Sequence, residues 1–184
     1  MAKPQSPPTG PATARPATRI AGTADATVMR KRILPTAEPS DSLPQQDWLP
    51  LETLAEVEVT SEDPLFPVES ALVLSALDGW RAAGPGSQTI RLLFDEPLPV
   101  RRIHLEFIEK ERDRTQEFTL RWSPDGGRSY REIVRQQFNF SSGASREIED
   151  YEVNLEHATV LELVITPHIG AGDARASLRA WRVG

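Results

Sequence analysis

From residue 54 to the end of the chain, apolar side chains recur at every second position in short runs. A period of two belongs to a strand that buries one face and leaves the other in water. Val57 and Val59 alternate with Glu56 and Glu58, and Ile90, Leu92 and Phe94 share one face. Ile103, Leu105 and Phe107 are inward in the next run, with Arg102, His104 and Glu106 outward. Phe118, Leu120 and Trp122 repeat the pattern, as do Tyr151, Val153 and Leu155, then Leu161, Leu163 and Ile165, and a closing run over 176–183.

Turn chemistry separates the runs. Pro97 and Pro99 interrupt 95–99, Pro124, Asp125, Gly126 and Gly127 form a tight-turn signal, and Gly170, Gly172 and Asp173 precede the last run. Glycine admits positive φ there without steric cost. About eight short strands with turns between them predict an all-β sandwich or barrel. The one helical candidate is 68–77, with Pro67 in a first-turn position. Residues 66–87 and 136–147 read as long irregular connections, where binding residues gather. No internal repeat is present.

Composition changes near residue 50. Nine of the 16 prolines lie at or before Pro50, and 1–46 has no aromatic residue. Such a stretch buries too little apolar surface to offset its ordering entropy. The expectation is a disordered, Pro-rich tail over 1–46 and one domain over 47–184. The tail is basic and the body acidic: residues 1–40 carry +4, including the cluster Arg30, Lys31 and Arg32, and the rest carries −10. An acidic domain argues against nucleic acid as its partner. There is no cysteine, so disulfides, thiolate metal sites and cysteine catalysis are excluded. The first 25 residues lack the apolar core of a signal peptide, and no run of 18 apolar residues predicts a membrane span. A cytoplasmic location is expected.

No nucleophile–base–acid set is readable. His104, His157 and His168 are scattered, no G-x-S-x-G elbow exists, and Gly84-Pro85-Gly86 has a proline where phosphate-cradling amides would stand. The expected function is therefore binding, not catalysis. Glu62 and Asp63, before Pro64, read as turn-capping or solvated carboxylates. Trp80 and Arg81 follow an Asp-Gly pair: either the indole stacks on a ligand while Arg81 holds a hydroxyl or carboxylate, or Trp80 plugs one end of the sandwich. Arg112 and Arg114, then Gln136, Asn139 and Phe140, mix planar donors with aromatics, as polar-ligand or peptide sites do. The alternative is a set of surface charge pairs joining Arg112, Asp113 and Arg114 to Glu109 and Glu111.

The order of these features resembles the discoidin, or coagulation-factor C-type, family of galactose-binding-like β-sandwiches. The resemblance is carried by Val59-Thr60-Ser61-Glu62, Ala71-Leu72, Ala76-Leu77-Asp78-Gly79-Trp80 and Gln88 with its alternating strand. It continues through Arg102-Ile103 with Leu105 and Phe107, then Ser123-Pro124-Asp125-Gly126 with Tyr130. It spans residues 50–184 and implies an eight-stranded jelly roll that binds ligand through loops at one end. The loops at 80, 112–116 and 136–140 are then expected on one rim. Carbohydrate is the first expected partner, by stacking on Trp80 or Phe140 with hydrogen bonds from Arg81, Gln136 or Asn139; an intracellular protein partner is the alternative. The resemblance also implies a structural calcium near Asp78. The chain departs from that pattern near its end, where Arg179 and Ala180 stand in place of an acidic residue. No other cofactor is expected, and no oligomeric state is readable.

Overall fold

A computed structural model of the protein describes residues 48–74, 78–170 and 172–184. The predicted tail, 1–46, lies outside the described residues, as does the end of the helical candidate at 75–77. The strands are β1 (Ala55–Val59), β2 (Trp80–Pro85), β3 (Gln88–Ile108), β4 (Arg114–Ser123), β5 (Arg131–Phe140), β6 (Arg146–Thr166), β7 (Arg175–Leu178) and β8 (Ala180–Val183). Two single helical turns, α1 (Leu51–Leu54) and α2 (Glu69–Leu72), complete the described elements. The helix expected over 68–77 is thus one turn.

β3 and β6, each 21 residues long, pair antiparallel and serve two layers. The first part of β3 and the last part of β6 lie in the row β1-β3-β6-β4-β5. The second part of β3 pairs with the first part of β6 and with β8. The layers meet face to face: the Phe107 ring stacks on Phe118 of β4 at 5.2 Å and contacts Phe138 of β5 at 5.4 Å. This is a jelly-roll sandwich with one apolar core.

The bend in β3 follows from its sequence. Pro97 and Pro99 have no N–H to give to a ladder, and the register shifts between Leu93 and Arg102. Buried positions change phase across the shift, from Ile90, Leu92, Phe94 and Val100 to Ile103, Leu105 and Phe107. Without the shift, one half would turn its apolar side chains to water. Two expectations are corrected here. The runs at 89–94 and 100–107 are one bent strand, as are 151–155 and 160–165. The irregular connection expected over 136–147 is the end of β5, a tight turn in which Ser141 and Ala144 exchange backbone hydrogen bonds, and the start of β6.

Two features finish the sheets. Glu58, Arg91, Glu162, Arg121 and Glu132 stand in register across all five strands of the larger layer, alternating in charge. Glu162 is 0% exposed, with Arg91 Nε 2.6 Å from one oxygen and Arg121 Nε bonded to the other. Burial pushes its carboxyl up, but the arginine hydrogen bonds outweigh that and hold it below the ordinary carboxylate range. The second feature is the free edge of the smaller layer. There Glu147 and Glu149 stand opposite Phe107 and Leu105, on the inward side. Inward carboxylates on an edge strand oppose pairing with another chain, and burial, aided by Glu149, pushes the Glu147 carboxyl up.

Candidate functional site

At one end of the sandwich, β2 and β7 form a separate two-stranded ribbon, with Trp80 opposite Leu178 and Arg81 opposite Ser177. The turn at 63–66 hydrogen-bonds to β2, through Asp63 N–H to Arg81 O and Arg81 N–H to Phe66 O. The Asp78-Gly79 pair brings the chain into β2. Gly79 has φ +72°, and a Cβ there would lie 2.6 Å from Leu178 O, so only glycine fits. Glu62 accepts the Val68 N–H at 3.0 Å, and Asp63 accepts that of Leu65 at 3.1 Å, so both carboxylates serve turns.

This ribbon, the 109–113 loop and the segment 173–179 enclose a cleft of about 720 Å³. That is the size of a small-molecule site, roughly 300–1,000 Å³. Its lining is half apolar, with Phe66, Trp80, Ile108 and Leu178, and half polar, and the polar half is mostly charged. Arg81 pairs with Glu111 at 3.1 Å and lies 4.9 Å above the Phe66 ring. Arg112 pairs with Asp173, which holds the Asp173 carboxyl below and the Arg112 guanidinium above its usual range. Lys110, Arg175, Arg179 and Asp78 complete the charged wall. A second hollow of about 370 Å³ shares the 109–112 wall and is bounded beyond it by Ser141, Ser142 and Ser145.

Arg114 holds this end together from beneath. It is 4% exposed, with Nε 2.8 Å from Glu109 Oε2 and Nη1 donating to Pro167 O at 3.0 Å and Arg175 O at 2.9 Å. Burial pushes the guanidinium pKa down, and Glu109 opposes that. Glu109 in turn accepts the Glu111 N–H at 2.6 Å. One buried cation therefore fixes the 109–113 loop, the strand leaving β6 and the start of β7.

Of the sequence-predicted residues, Asp78, Trp80, Arg81 and Arg112 line the cleft, and Arg114, Gln136, Asn139 and Phe140 do not. Trp80 is 1% exposed and donates its indole N–H to Ser61 O at 3.2 Å, so it plugs the sandwich and offers no stacking face. Phe140 is 3% exposed and packs edge-on against Phe138 at 4.8 Å, so it too is core. Arg114 is buried, bonded to Glu109, Pro167 and Arg175, and does not line the cleft. Gln136 and Asn139 are exposed on β5 and do not line the cleft; Asn139 Oδ1 accepts a hydrogen bond from Thr115. Lys110, Asp173, Arg175 and Arg179 were not anticipated. The only signal for them was the glycine-flanked loop at 170–173.

Among the described residues no three His, Cys, Asp or Glu side chains are grouped to hold a metal. Asp78 lies on the cleft wall and belongs to no such group, whereas calcium wants six or more oxygens.

No protein-family model matches the chain, and no curated protein is similar to it by sequence. Solved structures are similar in fold. The CBM32 module of AlyQ in complex with 4,5-unsaturated mannuronic acid shares 17% identity at a TM-score of 0.53, over 71% of this chain and 95% of that one. A CBM32 module from Clostridium perfringens, in complex with GalNAc-β-1,3-galactose, shares 18% at 0.53, over 74% and 99%. Reduced XRCC1 bound to the DNA pol beta catalytic domain shares 15% at 0.54, over 71% and 95%. At these identities the likeness establishes the galactose-binding-like fold. Because that fold carries an acidic sugar, a neutral disaccharide and a protein partner in these neighbours, function has to be argued from the cleft.

Proposed function

We propose that the chain is a non-catalytic carbohydrate-binding module, related to the discoidin branch of its fold, with its ligand site in the cleft beside the β2–β7 ribbon. The observation that carries this is the convergence of planar donors and carboxylates from three separate segments on one concave site. Arg81 and Arg112 can each hydrogen-bond sugar hydroxyls, and the buried Arg114 ties down the 109–113 loop and the start of β7 beside them. Two neighbours of this fold hold sugars. A glycan-array screen of the full chain tests it. Binding that Arg81→Ala or Arg112→Ala weakens, with folding intact, supports the reading; a blank array refutes it.

A second reading, a protein-interaction module, is favoured by Leu65, 80% exposed on the turn next to Phe66, and by Ile169, exposed on the loop leading to Asp173. Apolar side chains at a rim suit a protein partner. Loss of partner capture by Leu65→Ser, with glycan binding absent, would support it.

A further inference from the structure

We propose that the ligand is a saccharide bearing carboxylate groups, held by exchanging Asp173 for a ligand carboxylate at Arg112. This rests on the carbohydrate reading above. The described residues are net acidic, yet Arg81, Lys110, Arg112, Arg175 and Arg179 all line one cleft. The acidic residues there do not neutralise it. Glu109 is taken by the buried Arg114, and Arg175 is held by Asp63 from outside the cleft lining. Arg81 and Arg112 spend themselves on Glu111 and Asp173. That leaves the side chains of Lys110 and Arg179, which among the described residues make no hydrogen bond or ion pair, against Asp78.

The ion pairs are easy to open. The Arg112 and Asp173 side chains are 47% and 82% exposed, and pairs that wet contribute little. A ligand carboxylate can therefore take the place of Asp173, which meets Arg112 through one oxygen, and adopt the planar, two-pronged geometry a guanidinium prefers. A neutral sugar has the opposite difficulty. Its apolar face needs an exposed aromatic ring, yet Trp80 is buried and Arg81 covers Phe66. The cleft is equipped for charge and not for stacking.

Calorimetric titration of the full chain with oligogalacturonate and oligomannuronate, beside the methyl-esterified oligogalacturonate, tests this. The acid forms are expected to bind, the uncharged ester about tenfold or more weakly, since the charge-assisted bonds are lost. Affinity should fall as salt rises. Arg112→Ala and Arg179→Ala should each weaken the acid form by roughly tenfold. Asp173→Asn should strengthen it, because it removes the competing carboxylate, and Arg101→Ala, outside the cleft, should change nothing. Ester and acid binding alike, or a neutral oligosaccharide binding better, would leave the carbohydrate reading standing and overturn this one. Failure of every saccharide would overturn both. Polyglutamate binding as tightly as the oligouronates would show that the cleft selects acidic protein, and would also overturn it. Thermal unfolding of each variant separates lost binding from lost fold.

Discussion

Replacing Glu162 by Gln removes the buried charge at the centre of the five-strand ladder while keeping its shape. In the native protein each carboxylate oxygen takes one arginine, Arg91 on one side and Arg121 on the other. A hydrogen bond to a charged group is worth about 1.5–3 kcal/mol and a neutral one about 1. The amide offers a single oxygen, so it keeps one weaker bond and turns its NH2 group towards the other guanidinium. Both arginine side chains are about 40% exposed and recover water, which discounts the loss. The expected destabilisation at pH 7 is about 2 kcal/mol. Its pH dependence has a definite sign. The Glu162 carboxyl is held below its ordinary value, so its contribution is complete above about pH 4.3 and fades as pH falls through the folded value. The gap between the native chain and Glu162→Gln should therefore narrow on acidification. Urea unfolding followed by tryptophan fluorescence at pH 7 and pH 3 measures it, Trp80 and Trp181 both being buried reporters. A gap below about 0.5 kcal/mol at pH 7, or one that does not change with pH, would refute the reasoning.

Other consequences are equally direct. Gly79→Ala should cost at least about 2 kcal/mol in thermal unfolding, from positive φ and the contact with Leu178 O. Gly126→Ala, with the same φ of 72° but open space, should cost less. Trp80→Ala should destabilise by about 3–5 kcal/mol, so any loss of binding in that variant should track unfolding and not a missing contact. Glu147→Val with Glu149→Val should make the free edge of β6 sticky, seen as concentration-dependent light scattering that the native chain lacks.

Much of the fold was legible because inward positions in a sandwich must be apolar at a period of two. Ile90, Leu92 and Phe94, and then Ile103, Leu105 and Phe107, are buried where the alternation puts them. What pattern cannot tell is whether Pro97 and Pro99 end a strand or bend it, since both outcomes remove ladder hydrogen bonds. β5 escaped notice because it is an edge strand whose inward face carries Gln136 between Val134 and Phe138, which reads as polar connection. Of the site, Asp78, Arg81 and Arg112 were visible as charges beside turns. Trp80 and Phe140 were not visible as core, because an aromatic beside polar residues looks the same in sequence whether it plugs or stacks. Arg114 looked like a loop cation because its partners at Pro167 and Arg175 lie 53 and 61 residues away. Arg175 and Arg179 face Arg81 and Arg112 only once the last strands fold back across β2 and β3.

The central claim is that the cleft beside the β2–β7 ribbon is where ligand binds. Backbone amide NMR of the full chain, titrated with oligogalacturonate and oligomannuronate, tests it most directly. The predicted result is that shifts concentrate on 78–81, 109–112 and 173–179, while the Glu58–Glu132 ladder and the β6 edge stay still. Shifts centred on Gln136 and Asn139, or on the ladder face, would contradict it.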